Sequence, residues 1–227
     1  MGVLFESCVD SLDGALASVA GGARRLELCA HLEVGGTTPD PGLVREVVDA
    51  VPVPVFTMVR PRGGSFVYGD AEVDAMVRDI RLMRAAGAHG LVFGALRPDR
   101  TIDEGVMRRL LSHARPLPVP CHKAFDDTPD LLAALGTLVG LGVDRVLTSG
   151  GRPTAAEAQA TLGVGALFTR LGENVTDMRE ADAVREHYLE VIGQVLARLD
   201  DSTVRAALAL SRAQLEAARR AVPEVEV

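Results

Sequence analysis

The residues of this sequence with chemistry to offer sit in pairs inside otherwise apolar runs. Glu6 and Cys8 are two residues apart, as are Glu27 and Cys29. In an extended strand that spacing sends both side chains of a pair to the same side. A carboxylate so placed can serve as a general base or as half of an ion pair, and Glu27 with Arg60 is a candidate structural pair. A free cysteine is usually a small buried hydrophobe, and Cys8, Cys29 and Cys121 each read that way singly. The stretch Arg60-Pro61-Arg62-Gly63-Gly64 sets two guanidiniums beside a glycine pair, which suits bidentate capture of a phosphate or carboxylate. Thr148-Ser149-Gly150-Gly151 adds hydroxyl and backbone donors for the same anion, or equally a turn leading into a helix. His122 is the histidine best placed to act as an acid or hydrogen-bond donor. His31, His89, His113 and His187 fall in loops or helical patterns and read as solvated. Glu6, Glu27 and His122 are thus the candidate catalytic groups, with Arg60, Arg62, Thr148 and Ser149 as the anion grip. Such a set fits an enzyme or binder of a small anionic metabolite.

Those side chains need elements to hold them. Short apolar runs at Val3–Cys8, Arg25–Cys29, Val53–Arg60, Gly90–Leu96, Val119–Phe125 and Arg145–Ser149 predict six strands. Helical patterns lie between them, such as Val73, Met76, Val77, Ile80 and Met83. Asp40-Pro41, Asp70 before Ala71-Glu72, and Thr128-Pro129 predict helix starts. Three strands share one kind of corner, at Gly22-Ala23, Gly87-Ala88 and Gly142-Val143, where a glycine ends a helix and a strand follows at once. The strands between them begin after Pro52-Val53-Pro54 and Pro116-Leu117-Pro118. The two corner types alternate, as a two-unit (βα)₂ repeat requires. Parallel strands with short connections predict a barrel or a doubly wound sheet. No Gly-x-Gly-x-x-Gly follows the first strand, so the barrel is preferred and no nucleotide cofactor is expected. Its active-site residues then belong at the C-terminal strand ends.

Beyond Gly151 the pattern changes. A capping box at Thr154–Glu157 opens a short helix, and residues 165–171 are a candidate seventh strand. Helices are expected near Asp177–Leu199 and Ser202–Val222, with no convincing eighth strand. The expected fold is therefore an α/β, TIM-type (β/α) barrel, incomplete, with extra C-terminal helices. Residues 1–157 form its barrel portion, and residues 158–227 a divergent, mainly helical portion packed on the same domain.

Composition agrees with that architecture. The chain has 227 residues, and with 48% hydrophobic residues but no Trp its core must come from Val, Leu, Ala and Ile. Such cores suit parallel strands covered by helices on both faces. A net charge of -7 argues against nucleic acid or an anionic membrane as partner. No run reaches the ~20 apolar residues of a membrane span. Met1–Glu6 lacks the basic region and cleavage site of a signal peptide, and three widely spaced cysteines suit a reducing cytosol. The expectation is a soluble cytoplasmic protein.

Several motifs occur together in a fixed order. They are Glu6-Ser7-Cys8-Val9-Asp10-Ser11, Gly21–Cys29, Gly35-Gly36-Thr37-Thr38-Pro39, Val59–Tyr68, Val92–Leu96 and Leu147–Gly151. Over residues 3–157 the sequence resembles the CutC family. The resemblance implies a TIM barrel and a cytoplasmic role in copper homeostasis. It also aligns the family's proposed copper-binding cysteine pair with Cys8 and Cys29, and two thiolates suit the soft Cu(I) ion. Two departures stand out. Cys121-His122-Lys123-Ala124-Phe125-Asp126 stands where the family carries Phe-His-Arg-Ala-Phe-Asp, and the family's last strands have no counterpart. In their place, Phe168–Asp177 continuing to His187–Glu190 resembles a short segment of bacterial proline dehydrogenase. No activity or flavin site follows from so short a match. Three readings remain: a Cu(I)-binding homeostasis protein, a barrel acting on a small anionic metabolite, and a degenerate barrel serving as a homo-oligomeric scaffold.

Overall fold

The computed structural model describes residues 5–149. Six strands alternate with five helices there: β1 (Glu6–Val9), α1 (Leu12–Ala20), β2 (Arg25–Leu28), α2 (Pro41–Ala50), β3 (Val55–Met58), α3 (Asp70–Ala85), β4 (Gly90–Val92), α4 (Glu104–Ala114), β5 (Pro120–Cys121), α5 (Leu131–Gly140) and β6 (Arg145–Val146). Strands β1 to β4 pair in chain order, all parallel, and β5 pairs with β6 in the same sense. The Leu91 N–H donates to the Pro118 carbonyl at 3.1 Å, and the Phe93 N–H to the Pro120 carbonyl at 3.2 Å, linking β4 to β5. Among the described residues the strand order never reverses. Such single winding is the (β/α) barrel arrangement, whereas a doubly wound sheet has a switch point. The candidate seventh strand, the C-terminal helices and the division at residue 157 lie outside the described residues.

Each strand is shorter than the apolar run that predicts it. At β3 the reason is local. Pro52 and Pro54 have no N–H for the ladder, and the Arg60 N–H leaves it to reach Thr38 Oγ1 at 2.9 Å. Two helix starts also differ from expectation. Asp40 caps α2 as predicted, accepting from the Gly42 N–H. Helix α3, however, is capped by Gly69, with Asp70 inside the first turn and Glu72 reaching back to the Gly69 N–H at 2.9 Å. At α5 the cap is Asp130, whose carboxylate accepts two backbone N–H groups, while the Thr128 hydroxyl donates to the Phe125 carbonyl. A charged acceptor outcompetes a hydroxyl for exposed N–H donors at a helix start.

The repeated glycine corners share one geometry. Gly22, Gly87 and Gly142 have φ of 96°, 94° and 73°. In each corner the next residue's N–H reaches five residues back: Ala23 to Ser18, Ala88 to Met83, Val143 to Leu138. That is the Schellman closure, which needs the left-handed backbone that glycine adopts without strain. It turns the chain directly into β2, β4 and β6.

The sheet has two unlike faces. Leu26, Leu28, Val55 and Leu91 pack outward with Val44, Val47, Met76, Ile80 and Met107 of the helices, forming the main core. Facing the other way, Cys29, Phe56, Met58 and Val92 form a separate cluster joined by Cys8 and Leu32. This inner face carries the chemistry.

Candidate functional site

Strand register assembles the site. Glu6 lies opposite Arg25 and Cys8 opposite Glu27, with all four on the inner face and Cys29 two residues beyond Glu27. Cys8 Sγ and Cys29 Sγ stand 3.6 Å apart. The two thiols lie 3.8 Å and 3.9 Å from Glu27 Oε1. These three ligand-type atoms all fall within 4.8 Å of one another. Cys29 is wholly buried and Glu27 nearly so, while Cys8 is half-buried.

Burial governs the protons of this cluster. It pushes the Glu27 carboxyl up to about 7, and the nearby charge of Glu6 pushes the same way. The hydrogen bond to Cys29 pulls the Cys8 thiol down, but burial and the charges of Glu27 and Glu6 outweigh it and leave Cys8 raised. Cys29 is held well above the usual thiol range by its hydrogen bond with Cys8, by burial and by Glu27. Both cysteines are thus thiols at neutral pH until something displaces their protons. A glycine roofs the cluster: a Cβ on Gly36, where φ is 82°, would meet Cys29 Sγ at 3.0 Å.

The expected Glu27–Arg60 ion pair does not form, because the two side chains have other partners. Glu27 faces the thiols, and beside it on the inner face Glu6 is bound to its register partner Arg25. Arg60 is buried, and its Nη1 donates to the carbonyls of Val34, Gly35 and Gly36 at 3.0, 3.1 and 2.9 Å. Its Nη2 donates to the Gly64 carbonyl at 2.9 Å, and its guanidinium stacks on Phe66. Arg62 binds Glu72 through Nε at 2.6 Å and the Ser65 and Val67 carbonyls through its terminal nitrogens. The Thr148 and Ser149 hydroxyls donate to Asp126. Apart from Arg60 Nε, the donors expected to grip an anion are therefore turned to the protein itself.

His122 is buried beside Phe66 at the end of β5. Its Nδ1 accepts the Ala124 N–H at 3.2 Å, which assigns the ring proton to Nε2. Burial, and secondarily the Arg60 charge, holds it down to about 3, so the imidazole is neutral at physiological pH. It can donate from Nε2 but does not act as a cation. The exposed His89 is tied in as well, with Nδ1 accepting the Val55 N–H at 3.2 Å. Cys121 is buried with its thiol pushed up to about 12, chiefly by burial, which is the state of a packing residue.

A singly wound parallel sheet with thiols and a carboxyl on its inner face defines a barrel-type α/β protein with an interior soft-donor cluster. The CutC family model matches residues 3–186, and the chain belongs to that family. This match runs past residue 157 and takes in residues 168–177. The copper homeostasis protein cutC homolog of Homo sapiens is 51% identical over 156 residues, covering 69% of this chain and 57% of that protein. The CutC family protein of Sinorhizobium medicae is 49% identical over 156 residues, covering 69% and 63%. The chain thus spans about three-fifths of the length of these relatives. The crystal structure of a putative copper homeostasis protein CutC from Streptococcus agalactiae superposes with a TM-score of 0.66 at 32% identity, covering 70% of this chain and 79% of that one. A putative phosphonomutase from Burkholderia cenocepacia superposes with a TM-score of 0.53 at 14% identity, over 86% of this chain and 93% of its own, a likeness of fold alone.

Arg25 and Arg145, missed by motif reading, also reach the inner face. Both guanidiniums stack on Phe56. Each opens its strand, as Glu6 does at β1, and that shared position was the available signal.

Proposed function

We propose that this chain binds Cu(I) between Cys8 and Cys29, with Glu27 beside them as a third donor, as its part in copper homeostasis. The observation that carries the reading is the 3.6 Å separation of the two sulfurs on adjacent strands. With metal–sulfur bonds of about 2.3 Å, as in thiolate sites, one ion reaches both. Two thiolates select a soft ion such as Cu(I) over the hard cations that carboxylates alone prefer. Binding must displace protons that burial otherwise keeps on the sulfurs. The human and streptococcal relatives, both named for copper homeostasis, support the same assignment.

Cytoplasmic residence and assembly into homo-oligomers belong to the same reading. The three unbonded cysteines support the first, since a reducing compartment keeps thiols in that state. Light scattering on the purified chain reports the second. Among the described residues, no helix is long and apolar enough to cross a membrane.

Cu(I) titration in competition with a chromophoric chelator tests the copper reading. Wild type should hold the ion, C8S/C29S should lose it, and Glu27→Gln should weaken it. Equal affinity in wild type and the double cysteine variant would sink the proposal.

A further inference from the structure

The inner face carries a second polar cluster that the thiol site does not use. Phe56 of β3 bears two guanidiniums, with Arg25 Cζ 5.1 Å and Arg145 Cζ 4.7 Å from its ring centroid. Gly90 leaves the room this needs, since a Cβ there would stand 2.4 Å from Phe56 Cε2. Arg25 is buried and bound to Glu6, while Arg145 is half-buried. The charges around this pair do not balance. Glu6 offsets one guanidinium. Asp144 is committed elsewhere, its Oδ2 accepting Arg115 Nη1 at 3.0 Å and the Val119 N–H at 2.7 Å. Glu27 is engaged with the two thiols, at 3.8 Å and 3.9 Å from its Oε1.

The hydrogen bonds tell the same story. Arg145 Nε and Nη2 are buried without an acceptor, and so is Arg25 Nε, among the described residues. Buried donors of charged groups are ordinarily satisfied, and three unsatisfied ones converging on a single ring call for an acceptor. Nε and Nη2 form the side-on edge of a guanidinium, the edge that takes two oxygens of one carboxylate or phosphate. We propose that Arg25 and Arg145 form an interior site for a small oxyanion, gripped by the free edge of Arg145 and the free Nε of Arg25 against Phe56. The anion would supply both the missing acceptors and the missing negative charge. This site does not rest on the copper reading, because neither arginine touches the thiols.

Isothermal titration calorimetry on the metal-free full chain, at low ionic strength, tests the site with inorganic phosphate and then with malonate. Wild type should bind at least one of them saturably, and the preferred probe identifies phosphate or carboxylate as the chemistry recognised. Arg145→Gln should weaken that binding at least about tenfold, the weight of a charge-assisted hydrogen-bond pair. Arg62→Gln and C8S/C29S should bind like wild type, so loss of copper binding leaves this result intact. Should Arg145→Gln fail to fold by circular dichroism, Arg145→Lys decides: it keeps the charge, loses the fork and should still weaken binding. Absence of saturable binding of both anions to wild type would overturn the proposal. Unaltered binding in the folded Arg145 variant would do the same.

Discussion

His122 and Glu27 are buried ionisable groups whose proton preferences act on stability in opposite directions. His122 is held down to about 3 against an ordinary value of 6.5. Below 6.5 the unfolded chain takes up a proton that the folded state refuses. Its contribution is therefore whole above 6.5 and drains as pH falls toward 3, at up to about 1.4 kcal/mol per pH unit. His122→Asn preserves an acceptor for the Ala124 N–H and should flatten this slope in urea melts between pH 4 and 7. A slope identical to wild type would mean that the histidine is solvated. Glu27 works the other way, being raised from 4.5 to about 7. Its contribution is whole below 4.5 and lost as pH rises through 7. Metal-free Glu27→Gln should thus be more stable than wild type at pH 8, by about 1–3 kcal/mol. Period-two spacing placed Cys8 with Glu6 and Cys29 with Glu27 on one side of each strand, whereas the pairing of the two thiols followed from the family resemblance. The destinations of the arginines were not. Arg60 is claimed by carbonyls that converge only after the Val34–Gly36 loop folds over it, and Arg25 by a register that no local pattern encodes.

At the scale of elements, glycine serves two unlike purposes, and substitution separates them. Gly22 has φ of 96° with nothing within 4 Å of a built Cβ, so Gly22→Ala meets backbone strain alone. It should cost about 1–2 kcal/mol. Gly136, inside α5, also faces open space but in helical geometry, so Gly136→Ala should stabilise by about 0.5–1 kcal/mol. Chemical denaturation of the two variants should give opposite signs. Arg60 ties the Val34–Gly36 loop to the Gly64 carbonyl through a fork that a lysine ammonium cannot span. Arg60→Lys should loosen the roof over Cys29, seen as faster reaction of the thiols with a disulfide reagent. The element types were readable from periodicity and proline placement, whereas the caps of α3 and α5 shifted by one or two residues. Neighbouring groups compete for the same N–H donors there, and only the folded turn decides between them.

For the whole molecule, the Cys8–Glu27–Cys29 cluster joins β1 to the end of β2 among the described residues, yet an ion bound to the folded state alone would stabilise every element that unfolds with them. Cu(I) at a hundredfold its dissociation constant should add about 2.7 kcal/mol to wild type and nothing to C8S/C29S. A thermal shift shared by both proteins would place the ion elsewhere. The parallel sense of the strands was legible from their short connections and alternating corners, whereas single winding was preferred over a doubly wound sheet because no Gly-x-Gly-x-x-Gly follows the first strand. What spacing could not convey is how the inner face fills. That depends on Phe56 crossing the space left open by Gly90, a contact between two strands.

The matching corners also make the chain divisible. Gly22, Gly87 and Gly142 present the same backbone turn to whatever strand comes next. Segments cut at these points end in interchangeable joints, so the stretch from Gly22 to Gly87 and the stretch from Gly87 to Gly142 are natural cassettes. A protein engineer shuffling quarter-barrels would find the splice sites already in place.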